Sequence, residues 1–131
     1  MARCLFLFVL LCTSTAVQAA ACLIESNDDE LPIRMCQQNI TIPPQLFESS
    51  FCQPQIPDRS FDVSFLESCP DGAYGVCDNA SSEGVAYRQA IHYYSDPDDR
   101  PVLQAYCEQF SDGQWLTPEP AADQNGGGGD K

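Results

Sequence analysis

Histidine is the scarcest reactive group in this 131-residue chain, present only as His92. One imidazole excludes zinc, copper and iron centres built on several histidines. A Ser-His-Asp relay needs just one, but no Gly-x-Ser-x-Gly elbow accompanies it. His92 stands between Ile91 and Tyr93 in what reads as a strand, and it is expected on the less apolar side, as an ordinary surface or edge histidine. Cysteine is the abundant group, eight in all, of which Cys22, Cys36, Cys52, Cys69, Cys77 and Cys107 lie beyond the N-terminal apolar run. No Cys-x-x-Cys pair and no Cys-x-x-Cys-His run occurs, so neither a zinc ribbon nor covalent haem attachment is spelled. Six widely spaced cysteines read as three disulfides with the pairing left open.

Nineteen carboxylates are present. Glycoside hydrolysis needs two of them held about 5–10 Å apart across a sugar cleft, and nothing in the sequence singles out two. Asp96-Pro97-Asp98-Asp99 is the best candidate for an ion site. Calcium requires six to eight oxygens, which an EF-hand supplies through a twelve-residue loop with a central glycine. Here the spacing is wrong and a proline intervenes, so a capped, solvent-facing loop is expected. Asn39-Ile40-Thr41 and Asn79-Ala80-Ser81 are formal glycosylation sequons, relevant only in a eukaryotic secretory pathway. No catalytic, cofactor-binding or metal residue is assigned, and no cofactor is implied.

The elements that hold these groups begin with an export signal. Arg3 precedes the apolar run Cys4–Cys12, and the small residues Ala16 and Ala19–Ala21 follow, the layout of a secretory leader cut after Ala19 or Ala21. Nine apolar residues are too few for a membrane span, which needs about twenty. A competing reading lipidates Cys22, since it follows Ala19-Ala20-Ala21, but that would leave five cysteines and one unpaired. Residues 1–21 are thus read as leader, 22–117 as a single disulfide-rich domain, and 118–131, with its run Gly126–Gly129, as a flexible tail. Without Arg3 the chain keeps five basic residues against nineteen acidic ones, net −14. Such a charge repels phosphate backbones and anionic lipid surfaces, so nucleic acid is not the partner; the expected partner is extracellular and otherwise unspecified.

Along the domain, Glu25–Glu30 reads as a solvated lead-in, and the prolines at 32, 43, 44, 54 and 57 argue against long helices and central strands. A short helix from Pro44 to Cys52 and a strand over 62–66 are predicted, then a turn over 69–77 and a polar loop over 78–84. A strand over 85–94 follows, with Val85, Tyr87, Ile91 and Tyr93 on one face. Leu103, Tyr106, Cys107 and Phe110 mark an amphipathic helix over 99–110, ended by Gly113 in a left-handed conformation; residues 114–116 could add a last strand. Tyr87, Tyr93, Tyr106 and Trp115 are assigned to the core, and Tyr94 to the exposed side. In both halves a proline-bearing loop leads into a helix carrying an aromatic–cysteine pair, Phe51-Cys52 and Tyr106-Cys107. Two such matches are too few to establish a repeat.

The order Cys69-Pro70, Gly75-Val76-Cys77, Tyr93-Tyr94, Cys107 and Gly113-Gln114-Trp115 resembles small cysteine-rich exported bacterial proteins that carry no established activity. The resemblance covers about the last third of the chain; it implies an exported, cystine-stapled fold and lends no catalytic residue. The expected architecture is α+β, a short antiparallel sheet with one main helix. The expected function is a non-enzymatic binding or structural role outside the cell, in the periplasm or at the cell surface. A small extracellular enzyme using paired carboxylates is one alternative; an inhibitor or toxin-like effector presenting the loop between Cys69 and Cys77 is the other.

Overall fold

A computed structural model describes residues 19–82 and 84–119. Six strands form one antiparallel sheet: β1 (Ala21–Ser26), β2 (Arg34–Asn39), β3 (Phe61–Leu66), β4 (Gly75–Ser81), β5 (Arg88–Tyr93) and β6 (Gln114–Leu116). Their spatial order is β3-β1-β2-β5-β4-β6. Two short helical segments accompany it. The first begins as α1 (Pro44–Leu46) and widens into a π-turn (Phe47–Phe51); the second begins as a 3-10 turn (Pro97–Asp99) and continues as α2 (Arg100–Gln109). The α+β expectation therefore holds only coarsely: sheet dominates, helix is minor, and three disulfides staple the whole.

Each half of the chain builds the same unit, strand–strand–helix–strand, and the sheet order 3-1-2 is mirrored as 5-4-6 across the β2–β5 boundary. Cys22 of β1 bonds to Cys52 just past the first helical segment, and Cys77 of β4 bonds to Cys107 of α2, both across 30 residues. The two bridges share one shift, since 77 − 22 and 107 − 52 both give 55; the third strands correspond at 50, because Cys22 pairs with Phe65 and Cys77 with Trp115. The β2–β5 register obeys the 55-residue shift as well: Met35 faces Tyr93 as Gln38 faces Ala90, and Cys36 faces His92 as Gln37 faces Ile91. A twofold axis between the two strands demands this pairing of equivalent residues. The aromatic–cysteine echo is thus the legible end of a structural repeat. One difference is a bulge in β4 between Cys77 and Ala80, where Asn79 adopts φ 54°, a left-handed conformation that asparagine tolerates better than most residues.

Both helical segments lie on one face of the sheet. At one end Cys22, Ile24, Ile42, Phe47 and Cys52 form a buried cluster, and at the other Cys77, Ala80 and Cys107 do so, backed by Ile91, Tyr93 and Trp115. The opposite face buries Ala21, Leu23 and Cys36 against Leu66, Cys69 and Tyr94. Residues 67–74 cover that cluster as a strap running from edge strand β3 to β4, four strand spacings away, about 19 Å. The Cys36–Cys69 bridge anchors the strap. Beside it the Cys69 N–H donates to Gln38 Oε1 at 2.9 Å, and the Tyr94 hydroxyl donates to the Pro70 carbonyl at 2.6 Å. Tyr94 is therefore partly buried and not the exposed ring expected.

Several expectations are corrected by this arrangement. Residues 21–26 are a central strand, so Glu25 and Ser26 end β1 and do not belong to a solvated lead-in. Ala21–Ile24 are buried on both faces of the sheet, which removes the alternation that usually betrays a strand. β2 is central too, because Pro32 and Pro43 flank it and no proline interrupts its ladder. The loop expected over 78–84 is mostly the second half of β4. At the end of α2 it is Asp112 that takes the left-handed conformation, φ 49°. Gly113 is needed for room: a Cβ there would sit 2.7 Å from Cys77 Sγ and 3.0 Å from Cys107 Sγ.

The α2 stripe is only half right. Cys107 is buried, but Tyr106 is 57% and Phe110 64% exposed, their rings stacked on each other at 5.5 Å. Phe47, fully buried beside the Cys22–Cys52 bridge, is the aromatic that the core depends on. Phe47→Ala is expected to cost about 3–5 kcal/mol and Phe110→Ala under about 1 kcal/mol. Urea midpoints of the two variants decide the matter, and equal losses would contradict this burial pattern.

Candidate functional site

A partly enclosed cleft of about 450 Å3 lies between the β1–β2 connection and α2. Leu31, Pro32 and Ile33 line it from the hairpin, Met35 and Tyr93 from the sheet, Tyr74 from the end of the strap, and Leu103 from α2. The exposed residues Glu30, Asp96 and Asp99 border it. Arg34 also reaches the lining, but its guanidinium pairs with Glu25 at 3.2 Å and lies 5.0 Å over the Tyr94 ring. The remaining charge at the border is acidic.

Local chemistry fixes these groups. The Asp96 carboxylate accepts from the Asp98 N–H at 3.0 Å and so caps the 3-10 turn. Pro97 and Pro101 occupy first-turn positions whose N–H groups have no intrahelical partner. Tyr93 stacks on Trp115 with ring centroids 5.8 Å apart, and the Arg100 guanidinium lies 5.7 Å over the Tyr74 ring. Burial pushes the Tyr93 phenol up to about 12, with the neighbouring Tyr74 and Tyr106 phenols adding to the shift. Tyr74 is raised by burial and then by the Asp99 and Asp96 carboxylates, against the opposing pull of Arg100. Both phenols stay neutral at ordinary pH, so the cleft offers aromatic faces and hydroxyl donors beside carboxylates.

His92 takes no part in it. It pairs with Cys36 and Val76 in the register of β5, which points it away from the face that carries Tyr93 and the cleft. β5 lies inside the sheet, so His92 is not an edge residue. Burial depresses its pKa below the ordinary 6.5, with Asp78 opposing. Where the folded pKa is the lower one, the unfolded chain binds the extra proton. This contribution to stability is therefore complete above about pH 6.5 and is lost as pH falls through the folded value. His92→Gln is expected to flatten the decline in urea midpoint between pH 7.5 and pH 5; an unchanged decline would assign it to the carboxylates alone.

Of the sequence candidates, all six cysteines are paired, as Cys22–Cys52, Cys36–Cys69 and Cys77–Cys107. The Cys22 sulfur that a lipid anchor would need is engaged in its bridge. Cys69 and Cys77 are not bonded to each other, and the segment between them lies along the sheet. Asn39 uses its carboxamide locally, donating to the Ile42 carbonyl at 2.7 Å and accepting from the Ile42 N–H at 2.8 Å, whereas Asn79 is exposed on the bulge. Among the described residues no three His, Cys, Asp or Glu side chains gather as metal ligands, and no helix is long and apolar enough to cross a membrane. Residues 1–18 and 120–131, which hold most of the expected leader and of the expected tail, lie outside the described residues. Sequence reasoning missed the cleft because its hairpin wall, Leu31 to Ile33, falls between the acidic lead-in and the next predicted element, where only the proline at 32 was weighed. Its one signal was three consecutive apolar residues after a run of acids.

No protein-family model, no curated protein and no solved structure matches the chain. Its class is defined by its own architecture: a six-stranded antiparallel domain of two strand–strand–helix–strand units, each stapled internally, with an open cleft beside the second helix.

Proposed function

We propose that the chain is an exported, non-enzymatic binding domain that works outside the cell or in the periplasm and uses the cleft beside α2 to hold its partner. The observation that carries this is the cleft itself, lined by Leu31, Ile33, Tyr74, Tyr93 and Leu103 with a few carboxylates at its border, the composition of a recognition site. The sole histidine lies on the other face of the sheet, which favours binding over acid–base chemistry. The three bridges fit an oxidising compartment. The secreted domain begins at Ala20: its N–H donates to the Leu66 carbonyl at 3.1 Å and its carbonyl accepts from the Asn39 N–H at 2.7 Å, contacts that a cut after Ala21 would remove.

Amide NMR titration of the exported, fully oxidised protein tests the reading. With p-cresol or hexylamine as probe, the amides of Leu31, Met35, Tyr74 and Leu103 are expected to shift together and saturate. If neither probe moves them, the cleft is not a binding site. Intact mass of the secreted product should place its first residue at Ala20 with all six cysteines bridged.

A further inference from the structure

We infer that the free edge of β3 pairs with the β3 edge of a second copy of the chain, joining two sheets into one across a twofold axis at Val63. The cleft plays no part in this: it lies beside β5, three strands away in the sheet.

β1 fixes which way β3 turns its backbone. The Ser26 N–H donates to the Ile33 carbonyl and the Asn39 N–H to the Ala20 carbonyl, so the even-numbered residues of β1 bond to β2. The odd-numbered ones, Ala21, Leu23 and Glu25, bond to Leu66, Ser64 and Asp62 of β3. The Asn27 N–H continues that series to the Ser60 carbonyl at 3.3 Å. Phe61, Val63 and Phe65 therefore point their N–H and C=O groups out of the sheet, and among the described residues no other backbone group bonds to them.

Edge strands are usually blunted by lysine, proline, a bulge or shortness. The opposite edge, β6, spans only Gln114–Leu116, with Pro118 close behind it. β3 is six residues long, contains neither proline nor lysine, and keeps one register with β1 throughout. Its Phe65 is 50% exposed.

The strand is self-complementary in one register. Centred on Val63, an antiparallel pair sets Val63 against its own equivalent and Phe61 against the second copy's Phe65, each pair exchanging both backbone bonds. These side chains share one face, where a cross-strand aromatic pair adds stability. On the other face Asp62 meets the second copy's Ser64, a hydroxyl able to donate to it. An axis at Asp62 would set carboxylate against carboxylate, and an axis at Ser64 would leave Phe61 outside the ladder. The chain already contains a join of this kind, where β2 and β5 meet across the axis relating its halves. The net charge of −13 opposes association of copies. Asp62 is the only charge on β3, however, and charges farther off are screened over about 8 Å at physiological salt.

Sedimentation velocity of the exported, oxidised protein should show a monomer–dimer equilibrium with Kd of about 10–100 μM, as suits a contact below standard interface size. Added salt should tighten it. As concentration rises, the amides of Phe61, Val63 and Phe65 should exchange more slowly, whereas those of Ser64 and Leu66 are protected already. Ser64 is exposed, so its variants keep the fold, and each acts twice across the axis. Ser64→Asp, facing Asp62 of the second copy, should weaken the dimer about tenfold, and Ser64→Arg should strengthen it by about as much. Gln114→Glu and Gln114→Arg make the same charge changes on the opposite edge and should leave Kd within about twofold. A chain still monomeric at about 500 μM, several times the expected Kd, overturns the inference. So does a dimer in which Phe61, Val63 and Phe65 gain no protection, or one that answers equally to changes at 64 and 114.

Discussion

Full reduction of the three disulfides is expected to unfold the domain at 25 °C without denaturant. Each bridge closes a loop of about thirty residues. In the chain-entropy account a loop of that length is worth about 3.5–4 kcal/mol, and three together rival the whole net stability of an ordinary domain, about 5–15 kcal/mol. The interior cannot make up the difference, because cystine sulfurs are themselves a large part of it: five of the seven largest fully buried side chains are cysteines. Near-ultraviolet circular dichroism and amide dispersion with and without reductant would settle the point; a reduced chain that keeps its native dispersion would show that the sheet stands without the bridges. Removing one bridge, as Cys77→Ala with Cys107→Ala, should lower stability by about 4 kcal/mol and leave a folded protein.

Gly75→Ala should be nearly as damaging as Phe47→Ala, although it adds a single methyl group. A Cβ at position 75 would fall 2.0 Å from Cζ2 of Trp115 and within 3 Å of two further atoms of the indole. The ring cannot slide aside without leaving its stack on Tyr93 and loosening the β4–β6 pairing. A loss of about 2–4 kcal/mol is expected, at the upper end of overpacking, with red-shifted tryptophan emission. The double variant Gly75→Ala, Trp115→Ala should cost little more than Trp115→Ala alone, because the clash and the ring vanish together. Strict additivity would mean that the two positions are not coupled.

The bridging cysteines and the helix over 100–109 were legible because their signals are local: an even count of cysteines beyond the N-terminal apolar run, and a capped start after Asp96-Pro97. The strand over 88–93 was visible through alternation. β1 was hidden, since burial on both faces erases the period of two and its apolar residues run straight on from the small residues before them. β2 was hidden by its neighbours, as prolines that bound a strand were weighed as if they broke it. The orientation of α2 was misread at Tyr106 and Phe110, because an apolar stripe shows that a helix has a greasy side and not that something covers it. The repeat escaped detection for a related reason: beyond the aromatic–cysteine pairs, the 55-residue shift matches few identities, and the equivalence resides in backbone register. The cleft was illegible because its walls come from the β1–β2 connection, β5, the end of the strap and α2, segments far apart in the chain that meet only when it is folded.

Among the described residues the pairing of the cysteines confines every cross-link to one half. Cys22–Cys52 and Cys36–Cys69 interlace before residue 70, and Cys77–Cys107 closes after it. The polypeptide at Asp71-Gly72, exposed in the strap, is therefore the sole covalent tie between the two units. A single nick there by a protease would leave two cystine-locked fragments held together only by the β2–β5 ladder and the side chains packed across it. Such fragments separate in denaturant with no reductant present. Each keeps its own cross-links, so each is primed to find the other again when the denaturant is withdrawn.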